Sequence, residues 1–232
     1  TLCMNTNILT PFSLPDTATA HLSIEFWSKA NRLLIKKAIS EFAHELLIVP
    51  QFKNQISDWR YYSIQADTHQ ITYQFCAKIL ALNHWDIDSE SIQKFDTENE
   101  LPLDIVLFIK EFKNSLNISE DILPAYLEEI IGTTNGLAYK YSKNHPTARE
   151  LVQADFQTIE QSMIEGHPGF LANNGRIGFT TCDYQAYGPE SGSSFQLVWL
   201  AGHKEKTIYA GITSLPYEKL IQQELDMNTL KL

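Results

Sequence analysis

Apolar residues recur at three- and four-residue steps from about Ser23 to Leu47. Trp27, Ala30, Leu34, Ala38, Phe42 and Leu46 share one face, which predicts a helix that Pro50 closes. From Ser57 to Leu82 the pattern changes. Trp59-Arg60-Tyr61-Tyr62-Ser63-Ile64 and Gln70-Ile71-Thr72-Tyr73-Gln74-Phe75 are rich in aromatic and β-branched residues, with Asp67-Thr68-His69 between them, and predict two strands joined as a hairpin. Residues 83–100 are polar and acidic and predict a loop.

Three helices are expected next. The first runs from about Pro102 to Leu116, with Pro in the first turn, where a missing N–H costs nothing. The second starts at Ser119, a good N-cap followed by Glu120 and Asp121. Ile122, Tyr126 and Ile130 stack four apart in it, as do Leu123, Leu127 and Ile131, and His145-Pro146 ends the run. The third opens on the capping box Thr147-Ala148-Arg149-Glu150 and carries the stripe Val152, Phe156, Ile159 and Met163. After it, residues 195–200 and 207–212 predict strands, and Pro216 to Leu225 predicts a helix. The expected class is α+β: residues 1–164 as a mostly helical region with a β-hairpin, and 165–232 as the start of an antiparallel sheet. Residues 1–18 predict an irregular leader.

The composition narrows the function. At 44% hydrophobic residues in 232 the chain can bury a core, and a formal net charge of −10 argues against a nucleic-acid partner, which calls for a surplus of Lys and Arg. Cys3, Cys76 and Cys182 are odd in number and far apart, so neither a disulfide framework nor a metal site is expected, and a reducing cytoplasm fits. The histidines lack zinc-ligand spacing. The longest apolar stretch, Ile105 to Ile109, is too short to span a membrane, and the N-terminus has no basic region of the secretory kind. The first residue is not Met, and the chain reads as a piece of something longer.

One segment concentrates candidate chemistry. Glu165 to Phe179 holds four of the ten glycines, with His167, Arg176 and the pair Asn173-Asn174. Gly and Asn let a loop bring its N–H groups close to a ligand, and Arg and His can meet a phosphate or carboxylate there.

Gly166-His167-Pro168, Asn173-Asn174-Gly175-Arg176-Ile177-Gly178-Phe179, Asp183-Tyr184-x-x-Tyr187-x-Pro189-Glu190 and Leu197-Val198-Trp199-Leu200-Ala201 together resemble one family. It is the NRPS-independent siderophore synthetases, the aerobactin-synthetase-like enzymes. Many members read GHP-x-HP-x-x-K-x-R-x-GF and then YxPE. The spacing from His167 to Arg176 and Phe179 matches without gaps, while Phe170-Leu171 replaces the second HP and Asn174 takes the Lys position. Members are much longer, so the chain looks like their N-terminal part.

The resemblance implies a reaction. A carboxylate, often of citrate or a citrate derivative, attacks the α-phosphorus of ATP, and an amine or alcohol then displaces AMP from the acyl adenylate. It implies ATP with Mg2+ as cofactors and His167 and Arg176 as the catalytic residues. Gly166, His167, Asn173, Asn174, Gly175, Arg176 and Thr180 would form the nucleotide site. The fork of Arg176 suits a phosphate, and His167 can donate one hydrogen bond. Asn174 in place of Lys removes a charge from any pyrophosphate contact. A homodimer is compatible with the sequence, though nothing in it fixes one. Each residue also has a plainer reading: a salt-bridged Arg, a helix-capping His, an Asn-Gly turn, a Thr at a strand end. On those readings the chain is a non-catalytic ligand-binding or assembly domain derived from the family, or an unrelated α+β scaffold.

Overall fold

A computed structural model describes residues 20–224 except 168, 174, 199 and 201. The chain divides into two compact units between Ser194 and Phe195. The class is α+β, and the antiparallel sheet lies between residues 51 and 101.

Helix α1, Ile24–His44, begins at Ser23, whose hydroxyl accepts from the Phe26 N–H. Ala30, Leu34 and Ala38 of the expected stripe are buried, joined by Ile35, Ile39 and Ala43. Leu46 leaves the stripe: its φ of 61° ends the helix, and its side chain stands in solvent.

The sheet runs β1 Gln51–Ile56, β2 Trp59–Gln65, β3 Thr72–Ile79, β4 Trp85–Ile87, β5 Gln93–Phe95 and β6 Glu100–Leu101. Its order is β1-β2-β3-β5-β6, with β4 also paired to β3, and every pairing is antiparallel. The β2–β3 hairpin forms as expected, in a register that sets Tyr62 opposite Phe75 and Ile64 opposite Tyr73, all four buried. The expected loop at 83–100 instead holds β4, β5 and the start of β6. Three-residue strands are too short to display a period, and β4 and β5 form because each end of β3 offers unpaired backbone groups.

Helix α2 is Ile105–Glu111, shorter than expected. Asp104, not Pro102, opens it by accepting from the Leu107 N–H at 2.9 Å. Helix α3, Leu123–Tyr141, starts after Ser119, whose carbonyl accepts the N–H groups of Ile122 and Leu123 in a preceding turn. Ile130 is buried and Leu123, Tyr126 and Leu127 pack on the core, whereas Ile122 and Ile131 are exposed. The capping box at Thr147 forms, but the single helix expected after it is two: α4 Ala148–Leu151 and α5 Phe156–Ser162. Asp155 accepts from the Thr158 N–H at 2.8 Å and so opens a new helix where continuation was expected. Val152, Phe156, Ile159 and Met163 are all exposed.

Helix α6, Thr181–Tyr187, follows the candidate loop, and α7, Tyr217–Glu224, lies in the second unit close to its expected place. No described residue of 195–200 or 207–212 is in a strand, which corrects the expectation of a sheet there. An isolated strand has no ladder to satisfy its backbone, and no pairing partner occurs among the described residues of that unit. The expected leader at 1–18 lies outside the described residues.

A buried polar cluster ties the sheet to α2. Lys94 Nζ lies 2.6 Å from Glu111 Oε1, and the Tyr73 hydroxyl donates to Glu111 Oε2 at 2.7 Å. Burial, then the bond to Glu111 and its charge, holds the Tyr73 phenol well above its ordinary pKa. Removing one partner of a buried pair strands the other. Lys94→Met is therefore expected to destabilise the fold by about 3 kcal/mol in urea denaturation, with partial recovery in Lys94→Met/Glu111→Gln, whose amide still accepts from Tyr73.

Candidate active site

The candidate loop is pinned at several points before it presents anything to solvent. Lys140 Nζ, on α3, donates to the Ile164 carbonyl at 3.1 Å. Lys37, on α1, sits 3.6 Å from the Glu165 carboxylate. Leu171, at the position where many family members carry Pro, is buried in the main core. The loop is thus fastened to both long helices.

Two of the predicted glycines are there for close approach. A Cβ on Gly175 would stand 2.7 Å from the Glu129 carbonyl oxygen and 2.9 Å from Thr133 Oγ1, so only glycine lets the loop lie against this turn of α3. Gly132 reciprocates from the helix side, where an added Cβ would stand 3.5 Å from Gly175 Cα. At Gly166 a Cβ would press on Asn173 at 3.1 Å.

His167 is exposed. Its Nδ1 accepts from the Gly169 N–H at 3.1 Å, so in the neutral ring the proton sits on Nε2, which is left as a donor. Its carbonyl accepts from Asn173 Nδ2 at 2.6 Å, and Phe170 packs on the ring at 4.8 Å. His167 and Asn173 line a cleft of about 500 Å3 with Glu41 and Phe42 of α1, Tyr126 and Glu129 of α3, and residues 169–172 of the loop.

Arg176 is directed elsewhere. Its guanidinium makes a two-pronged ion pair with Glu190, whose side chain is only 3% exposed, with Nη2 donating to Oε2 at 3.1 Å. The guanidinium also lies 5.1 Å from the Tyr184 ring and 5.6 Å from that of Phe179. Burial alone would lower the Arg176 pKa; the bonds and charge of Glu190 outweigh it and hold Arg176 above its ordinary value. Lys140 shares this neighbourhood. Burial lowers its pKa, and the charge of Arg176 adds to that against the opposing pull of Glu190. Thr180 is the N-cap of α6 in a reciprocal capping box with Asp183, a helix cap where a strand end was expected.

The structure therefore brings His167 and Asn173 into one cleft and places Gly166 and Gly175 as its backbone supports. Arg176 does not line that cleft, Thr180 is committed to a cap, and Asn174 lies outside the described residues. Sequence reasoning missed Glu41, Tyr126, Glu129 and Lys140, which reach the loop from helices distant in sequence. It read Glu190 as a turn residue; the shared YxPE motif was the available signal for its pairing. Among the described residues no group of three or more His, Cys, Asp or Glu could hold a metal ion, and no helix is long and apolar enough to cross a membrane.

With this geometry in place, comparison with known proteins is informative. Residues 155–232 match the IucA / IucC family. The chain is 41% identical to putrebactin synthase of Shewanella sp. (strain MR-4), an alignment covering 97% of this chain and 37% of that protein. It is 21% identical to the citryl-spermidine/3,4-dihydroxybenzoyl-citryl-spermidine:spermidine ligase of Bacillus anthracis, over 89% of this chain and 34% of that one. The fold matches the crystal structure of the petrobactin biosynthesis protein AsbB from Bacillus anthracis with a TM-score of 0.76 at 18% identity, covering 95% of this chain and 36% of that one. The chain belongs to the NRPS-independent siderophore synthetases, the IucA / IucC family of ligases. It spans little more than a third of the length of these relatives and corresponds to their N-terminal part.

The close approach at Gly175 gives a direct test of how the loop is held. Gly175→Ala is expected to cost about 1–3 kcal/mol by overpacking against a helix backbone that cannot move aside. Gly169→Ala, whose Cβ would meet only ordinary contacts at 3.4 Å and beyond, is expected to melt near the parent temperature in differential scanning calorimetry.

Proposed function

We propose that this chain is the N-terminal, loop-bearing part of an ATP-dependent ligase of siderophore biosynthesis. The ligase adenylates a carboxylate of citrate or a related acid and condenses it with an amine or alcohol. The observation that carries the reading is the 41% identity to putrebactin synthase over nearly the whole chain, with the motif from His167 to Phe179 intact in spacing.

In this reading the exposed edge of the loop forms one wall of the nucleotide site. Adenylation concentrates negative charge on the triphosphate, and donors already in place stabilise it without reorganising. His167 Nε2 and the Asn173 amide are the donors nearest the cleft, with Asn174 beside them in sequence and Gly166 and Gly175 holding the loop's path. Arg176 acts first through its pair with Glu190, which sets the direction of the chain leaving the loop, and contributes positive charge to the region. Thr180 acts through the helix it caps. Mg2+ arrives with the triphosphate, since the described side chains offer no ready-made metal cage. The enzyme works in the cytoplasm, and the remaining phosphate and substrate contacts come from outside these 232 residues. The isolated chain is therefore expected to be inactive.

The test is carboxylate-dependent pyrophosphate release by the complete polypeptide. His167→Ala is expected to lower the rate about a hundredfold, the scale for losing one positioned donor, without changing the melting temperature. Arg176→Ala is expected to lower rate and melting temperature together. Nucleotide binding without pyrophosphate release for any carboxylate tried would favour a non-catalytic domain derived from the family.

A further inference from the structure

The cleft between α1, α3 and the loop has a charge that does not suit phosphate. Glu41 and Glu129 both line it, and neither carboxylate has a cationic partner among the described residues. Lys37 is engaged with Glu165 and Arg176 with Glu190. Glu41 is turned onto the loop beside His167: its Oε1 lies 3.5 Å from where a Cβ on Gly169 would stand, so the missing side chain makes room for the carboxylate. The walls between the two acids are aromatic, from Phe42, Tyr126 and Phe170. The Tyr126 phenol is held above its ordinary pKa, by burial first and then by the charge of Glu129, which keeps it a neutral donor.

Two unpaired carboxylates set among ring faces repel a triphosphate and attract a cation carried on an apolar stem. A bare metal ion does not fit, because no described group of three ligating side chains could hold one. We propose that this cleft binds the ammonium end of an alkylamine, with Glu41 and Glu129 as its counter-charges and the aromatic walls holding its carbon chain. Its role as the amine-substrate subsite, beside rather than on the triphosphate site, rests on the ligase reading above.

The probe is n-butylammonium, titrated into the 232-residue chain by calorimetry at fixed ionic strength, with n-butanol as the neutral counterpart. The parent chain is expected to bind the ammonium and not the alcohol. Glu41→Gln/Glu129→Gln is expected to weaken binding at least about tenfold. Glu205→Gln/Glu218→Gln, which removes the same charge elsewhere, is expected to leave it unchanged, with circular dichroism confirming that both variants are folded. No ammonium binding by the parent chain overturns the proposal. Equal weakening in both double variants overturns it too, since that result assigns binding to the general field of a chain of net charge −10. In the complete polypeptide, the Glu41/Glu129 variant is expected to raise the amine KM about tenfold and the ATP KM far less. A complete polypeptide that releases no pyrophosphate, while the chain still binds the ammonium, would remove the ligase reading and leave the cation site standing.

Discussion

The structure depends on α1 being buried along most of its length. Ala30, Leu34, Ile35, Ala38, Ile39 and Ala43 leave almost no surface to solvent, and the helix contacts α2, α3 and β4. Its few inward polar groups serve the same purpose. Asn31 Oδ1 accepts the Ile105 N–H at 2.8 Å and so helps start α2. Arg32 Nη1 donates to the Ser89 carbonyl at 2.8 Å, and the Ser40 hydroxyl donates to the Trp85 carbonyl at 2.9 Å, which fixes the short strands of the sheet. A helix so enclosed cannot shift by a residue without exposing apolar area and orphaning these groups. Its outer turns therefore present Lys37, Glu41 and Phe42 to the candidate loop from a rigid base.

The loop built on that base has two parts with different duties. From Gly166 to Asn173 it is exposed at the edge of a cleft and offers His167 and Asn173. From Gly175 to Phe179 it is locked by backbone contact with α3 and by the guanidinium fork onto Glu190. An Arg with a buried carboxylate partner is already neutralised, so its first contribution is geometric. This division reconciles the family pattern, in which Arg follows His at a fixed spacing, with a structure that sends the two side chains to different neighbours.

The legible parts of the sequence were those where local chemistry and tertiary packing agree. The stripe of α1, the β2–β3 hairpin, the Thr147 capping box and α7 needed no distant partner to be recognised. The misreadings have physical causes. Leu46 continues the helical period but takes a left-handed backbone. Asp155 breaks a run of good helical spacing because it can cap. The segments at 195–200 and 207–212 have strand composition, yet a strand exists only where a neighbour accepts its backbone bonds. The position and motif of the loop were readable from its spacing alone. Its environment was not, because Glu41, Tyr126, Glu129 and Lys140 come to it from two helices, and no sequence rule links a carboxylate on α1 to a histidine more than a hundred residues away.

The central claim is that the segment from Gly166 to Asn173 is the nucleotide-facing edge of a rigidly supported loop. Hydrogen–deuterium exchange of the complete polypeptide, with and without ATP and Mg2+, addresses it most directly. The account predicts slower exchange on nucleotide addition for the amides of residues 166–173, with the buried amides of α1 and α3 unchanged. Protection at saturating nucleotide that leaves residues 165–180 untouched would contradict it.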